Sequence, residues 1–191
     1  DAARLMDIVG LAPRLANAYP HELDGARRQR VGIARALSLT PKFIVCDEPV
    51  SSLDVSIQAQ VLNLLKDLQA EFGLTYLFIT HDLSVVKYFS DKIAVMYLGQ
   101  LVETAPSDEL FQNTIHPYSQ ALLSAIPIPS SRQKMQRVKL IGEIQSPINP
   151  QPGCRFAKRC LYAEAGCTGQ DPELRAFGDE HWCACCRAGQ F

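Results

Sequence analysis

At 191 residues, 47% of them apolar and 20% charged, the sequence has the make-up of a globular protein with room for one domain or one and a half. A formal net charge of −1 gives no electrostatic case for nucleic acid or an anionic membrane surface as partner. No apolar run approaches the length of a membrane span, and the opening residues do not read as a secretory signal.

Asp1-Ala2-Ala3-Arg4-Leu5-Met6 reads as the inside of a helix, as in a fragment of a longer chain. Leu5, Met6, Ile8 and Val9 keep its period and Gly10 stops it. A connector runs to Tyr19-Pro20. Asp24 then stands where an N-cap belongs, and Val31, Ala34 and Leu37 mark a helix whose positive end would face an anion. Phe43 to Cys46 reads as a buried strand that delivers Asp47 and Glu48 at its carboxyl end, where Pro49 stops it. The turn Ser51-Ser52-Leu53-Asp54 leads into a long amphipathic helix, with Ile57, Val61, Leu64, Leu65, Leu68 and Phe72 on one face and Gly73 at its end. A second buried strand, Thr75–Ile79, precedes Thr80-His81-Asp82. A helix over Leu83–Phe89 and a third strand over Lys92–Leu98 follow, and Gly99 turns the chain into Gln100–Glu103.

Strand, helix, strand, helix, strand is the alternation of a parallel α/β sheet, whose ligands gather outside the carboxyl ends of the strands. Asp47, Glu48 and His81 fall there on two different strands. Adjacent carboxylates suit a hard divalent cation, and phosphoryl transfer to water needs a placed proton acceptor. Cys46 reads as a small apolar strand residue.

Beyond Glu103 the composition changes. Ser107 reads as the cap of a short helix with Asp108 and Glu109 in its first turn, and His116-Pro117-Tyr118 as the start of another. Prolines at 127, 129, 147, 150 and 152 mark an irregular segment in which Val138 to Ile141 reads as a short strand. The tail from Gly153 has too few aliphatic residues for a core of its own, so something else must hold it.

From Tyr19 to Glu103 the motifs, in order and spacing, resemble the C-terminal half of an ABC-transporter nucleotide-binding domain. Asp24-Gly25-Ala26-Arg27 lies at the signature motif. The strand ending in Asp47-Glu48 is similar to Walker B, Ser52-Leu53-Asp54 to the D-loop, and His81 to the switch histidine. The wider text, through Tyr97-Leu98-Gly99, His116-Pro117-Tyr118 and Ser146-Pro147-Ile148-Asn149-Pro150, resembles the ATPase subunits of oligopeptide and dipeptide importers. The resemblance implies an α/β fold, the C-terminal half of a P-loop NTPase with a parallel sheet plus a small irregular cysteine-rich extension. It implies part of a helical subdomain over 1–40, catalytic core over 41–105 and the extension over 106–191.

It also implies ATP and Mg2+ as cofactors, with ATP hydrolysis coupled to uptake. Asp47 would hold the magnesium through water, Glu48 would polarise the attacking water, and His81 would contact the γ-phosphate. Asp24, Gly25, Ala26 and Arg27 would face the nucleotide of a second, homologous subunit, and Asp54 would tie the two subunits together. Transmembrane permease subunits and, indirectly, an extracytoplasmic peptide-binding protein would complete the assembly on the cytoplasmic face of the cell membrane, with no nucleic acid. An importer of nickel or another solute, and a non-transport ABC ATPase, are the alternatives. In this family the phosphate loop and glutamine loop lie upstream of residue 1, so the chain as given is expected to be inactive by itself. The signature also departs from the usual Leu-Ser-Gly-Gly-Gln, placing the Asp24 carboxylate near a phosphate and Arg27 and Arg28 as offsetting cations.

Six of the seven cysteines fall between Cys154 and Cys186. Cys154, Cys160, Cys167 and Cys185 are four thiols that could replace a hydrophobic core with a metal centre. They lack the close pair usual at zinc sites. Resemblance to the importer extension implies a 4Fe-4S cluster on these four; Zn2+ is the alternative, and free or disulfide-bonded thiols a third reading. Cys183 and Cys186 compete with Cys185 for the fourth position.

Overall fold

The computed structural model describes residues 2–126, 138–143, 146 and 148–190. They fall into two compact units, one ending at Asp82 and the other beginning at Leu83. The prolines at 127, 129 and 147 lie outside the described residues. Among the described residues, no helix is long and apolar enough to cross a membrane.

In the first unit, α1 (Ala2–Ile8) packs on α2 (Gly25–Leu37), and Arg30 Nη1 donates to the Val9 carbonyl at 2.6 Å to close the loop after α1. β1 (Phe43–Asp47) and β2 (Thr75–Ile79) pair in parallel, with Phe43 opposite Thr75 and Asp47 opposite Ile79. The crossover between them is α3 (Val55–Phe72). It starts where the Asp54 carboxylate accepts from Ile57 N and ends at Gly73, whose φ of +63° suits a residue without Cβ. Val61, Leu62, Leu65 and Leu68 are its buried residues, and the Tyr76 hydroxyl on β2 donates to the Leu65 carbonyl. The apolar face thus includes Leu62 and leaves Phe72 exposed at the last turn. Both strands are covered on one face only: Cys46 is buried, while Phe43, Val45, Leu77 and Ile79 point the other way and are about half exposed. The expectation of fully buried strands is corrected to that extent.

The second unit corrects the parallel reading of the third strand. After α4 (Leu83–Phe89), β3 (Lys92–Tyr97) runs into β4 (Gln100–Pro106) through Leu98 and Gly99, both at positive φ. A two-residue link of that kind makes a hairpin, whereas parallel strands need a crossover of a dozen or more residues. The pair is accordingly antiparallel. Ser107 is the first residue of α5 (Ser107–Gln112) rather than its cap, because Pro106 holds the cap position. α6 (Pro117–Ser124) is capped by the His116 ring, which accepts from Tyr118 N. Residues 138–141 form no strand, although Leu140 packs against the core.

What holds the cysteine-rich tail is also visible. β5 (Arg175–Gly178) and β6 (His181–Cys183) extend the hairpin into a four-stranded antiparallel sheet, in the order β3-β4-β6-β5. Phe156 inserts into the core formed by Ile93, Val95, Tyr97, Val102, Ala105 and Leu110, with Tyr97 edge-on to its ring. Arg155 donates to the Leu98 carbonyl in the hairpin turn.

At the seam between β4 and β6 lies Glu103, wholly buried. Its carboxylate accepts from Ile115 N at 2.7 Å, His116 N at 3.1 Å and His181 Nε2 at 2.9 Å. His181 Nδ1 faces Glu109 at 3.4 Å, so the ring meets a carboxylate at each nitrogen. Removing one partner of such a pair leaves a charge buried and uncompensated. His181→Leu should therefore cost about 3 kcal/mol of stability, read as a lowered denaturant midpoint of the full-length protein. An unchanged midpoint would show that Glu103 does not depend on His181.

Candidate functional site

The register of β1 and β2 decides what meets at their carboxyl ends. With Asp47 opposite Ile79, the Glu48 amide donates to the Ile79 carbonyl at 2.9 Å, one step beyond the last pair. Glu48 turns out of the ladder at a φ of +45°. Its carboxylate meets His81, with Nδ1 3.1 Å from Oε1. That hydrogen bond is the main reason the Glu48 carboxyl is held below the ordinary carboxylate range. Both side chains stay open to solvent, His81 74% and Glu48 47% exposed. The pair can therefore exchange its mutual bond for a ligand. Asp47 is the last residue of β1 and is also exposed.

The turn beyond is fixed by side chains that sequence reasoning passed over. Ser51 Oγ donates to the Glu48 carbonyl, and Gln58 Nε2 donates to the carbonyls of Val50 and Leu53. Gln58 sits on the first turn of α3 and reaches back, and no local pattern announces it. Asp54 is occupied as the cap of α3.

Asp24 caps α2: Oδ1 accepts from Arg27 N at 2.8 Å, and Oδ2 lies 3.5 Å from Arg27 Nε. Its charge is thus partly answered within the motif, by the helix end and by Arg27. At Gly25 a Cβ would stand 2.9 Å from a Leu53 methyl, so a side chain there would require Leu53 to shift in the turn before Asp54. Gly25 and Ala26 are the first two residues of the helix.

In the second unit, Cys154, Cys160, Cys167 and Cys185 line one small cavity together with Cys186. Burial pushes the Cys154 thiol up to about 11 and raises Cys160 and Cys185 as well; Cys186 is also pushed up to about 11, chiefly by burial. Their donor chemistry suits a soft metal. Among the described residues, no set of three or more His, Cys, Asp or Glu side chains, Asp47 and these thiols included, stands so as to hold a metal ion. The four thiols border one common space. Cys183, one of the competitors, is fully buried and absent from the cavity wall. Cys46 is buried in β1 with its thiol pushed up to about 11, as befits a packing residue.

Comparison with known proteins finds similar chains. The profile of the ABC transporter family matches residues 1–51, and that of the oligopeptide/dipeptide transporter C-terminal region matches residues 102–167. The oligopeptide transport ATP-binding protein AppF of Bacillus subtilis is 54% identical over 95% of this chain and 56% of its own length. OppF of Haemophilus influenzae, another oligopeptide transport ATP-binding protein, is 52% identical over 93% of this chain and 54% of its own. The chain is similar in sequence to ABC transporter ATP-binding proteins. It spans a little over half the length of these curated relatives. Among solved structures, an ATP-binding cassette of an ABC transporter in its ADP conformation aligns with a TM-score of 0.53 at 28% identity, over 59% of this chain and 45% of that one. cbiO1 from Clostridium perfringens, part of an ABC transporter complex, aligns with a TM-score of 0.54, also at 28% identity, over 59% of this chain and 44% of that one.

Replacing His81 by alanine should let the Glu48 carboxyl rise toward its ordinary value, because the hydrogen bond that lowers it is gone. A carboxyl NMR titration reads this directly, and an unmoved Glu48 would show that another group sets its acidity.

Proposed function

We propose that the chain is the C-terminal part of the ATP-hydrolysing subunit of an importer of oligopeptides or dipeptides, coupling ATP binding and hydrolysis to uptake across the cytoplasmic membrane. The observation that carries this reading is the open Glu48–His81 pair at the ends of two parallel strands, in a sequence 54% identical to an oligopeptide transport ATP-binding protein. Residues 1–40 then belong to a helical subdomain, 41–105 to the catalytic core and 106–191 to the extension.

Bound MgATP supplies the phosphoryl group and the metal charge that steadies it. Asp47 would hold the ion. Glu48, ionised and exposed, accepts the proton of the attacking water once His81 has left it for the γ-phosphate. The start of α2, with Asp24, Gly25, Ala26 and Arg27, faces the nucleotide of a second, homologous subunit, and Asp54 lies at the contact between the two. Permease subunits and, beyond them, an extracytoplasmic peptide-binding protein are the further partners, with this subunit peripheral on the cytoplasmic face.

Because Asp24 already answers Arg27 and its own helix end, it weakens the composite site without breaking the helix. The site that uses it is the less active of two in a heterodimer. Asp24→Ser keeps an N-cap and should raise turnover of the assembled transporter; unchanged ATPase and peptide uptake would refute the assignment.

For the extension, the supporting fact is one cavity bordered by thiols. Cys154, Cys160, Cys167 and Cys185 would hold a 4Fe-4S cluster, with Zn2+ as the alternative. Iron, sulfide and zinc analysis of anaerobic protein separates them.

The central test is Glu48→Gln in the full-length subunit with its partners. Loss of a proton acceptor should lower ATPase by about 100-fold or more while ATP binding persists. Hydrolysis at the parental rate would remove Glu48 from the chemistry.

A further inference from the structure

The structure assigns a thiol pair that the ligand set above does not use together: we propose that Cys167 and Cys186 form a reversible disulfide whose formation withdraws Cys167 from metal binding. The two Sγ atoms lie 3.1 Å apart, although the residues are 19 positions apart in sequence. Closing to an S–S bond requires about 1 Å of further approach.

Each partner is held from its own side. Cys167 accepts at its carbonyl from Cys154 N at 2.9 Å, and a Cβ at Gly153 would fall 2.8 Å from that same carbonyl, so the strand of chain before Cys154 is pressed against it. Cys186 is steadied by its neighbour Arg187, whose guanidinium donates to the Tyr162 carbonyl at 3.2 Å and pairs with Glu164. Loop 160–164 and the turn after β6 are thereby clamped together around the two sulfurs.

The pair is also reachable. A second cavity, of about 330 Å3, has Cys167 and Cys186 in its wall beside Asp171, Glu173 and Arg175. Cys167 is buried and Cys186 only half-buried, which sets the order of events. Cys186 attacks a small-molecule disulfide entering from this cavity, one thiol of that reagent leaves, and a mixed disulfide forms. Cys167 then displaces the second thiol. Two protein S–H bonds and one reagent S–S bond are lost; one protein S–S bond and two reagent thiols are gained. The bond is read at equilibrium and not as a rate.

The withdrawal of Cys167 rests on the metal reading given above; the bond itself does not. The test equilibrates the full-length subunit, free of metal, in glutathione buffers of increasing oxidised share, alkylates remaining thiols, digests with trypsin and weighs the peptides. The expected species joins residues 160–175 to 176–187 and is lighter by the two hydrogens lost. Cys160→Ser should leave it intact, and Cys186→Ser should reduce it by about tenfold or more. A cross-link that persists in Cys186→Ser, or none in the most oxidising buffer, overturns the assignment. Iron or zinc uptake by reduced but not cross-linked protein supports the withdrawal, and equal uptake by both refutes it. Absence of metal from reduced protein counts against the metal reading alone, since the cross-link is scored without it.

Discussion

The in-register parallel pairing of β1 and β2 is the constraint on which the candidate site depends. Slipped by one residue, every side chain on one strand would change face. Cys46 would leave the packed side and Glu48 would no longer donate to the Ile79 carbonyl. What fixes the register is α3, whose length and caps set where the chain re-enters as β2. Asp54 and Gly73 close its two ends, and Leu65 gives its carbonyl to Tyr76. The site is therefore placed by a helix that contributes only a cap to it. Gln58, on that helix's first turn, transmits the placement by tying the carbonyls of Val50 and Leu53.

The second unit is organised around a buried charge. Glu103 is wholly enclosed, yet three donors reach its carboxylate from the 115–116 segment and from β6. A carboxylate in that position is costly unless all its partners are present. It thus makes the docking of β6 conditional on the folding of the segment before α6. Hydrophobic contact through Phe156 supplies attraction without such selectivity. The two together explain how a tail with few aliphatic residues is held.

Much of the first unit was legible because its signals are local. Asp24 and Asp54 precede apolar-periodic segments and cap them; Gly73 ends a helix at positive φ; alternating strands and helices bring Glu48 beside His81. The second unit was read less well because its decisive pairings are remote. Nothing near His181 says that it meets Glu103, and nothing near Trp182 says that its strand lies against β4. The third strand and the turn at Gly99 were legible; that the strand joins β4 in an antiparallel sheet and not β1 and β2 was not. Phe156, one of several aromatics in the tail, carries no local sign that it acts as a plug. The cysteines were read by spacing, and spacing along the chain does not say whether thiols close on one point or only share a wall.

That last distinction bears on what the extension does. Thiols converging on a point leave room for one state, metal-bound. Five thiols around a cavity, two of them in contact, leave room for more than one. Cys167 is the residue common to the expected ligand set and to the close pair with Cys186. Its carbonyl is fixed against Cys154 and Gly153, so the alternatives differ in which sulfur approaches it and not in where its backbone lies. Cys186 approaches from the C-terminal turn, which Arg187 ties to Glu164 and to the Tyr162 carbonyl. Cys185 is the neighbouring residue on the same turn. Its carbonyl accepts from Arg175 Nη2 at 2.9 Å, so the turn that carries both sulfurs is tied to β5 as well as to the 160–164 loop.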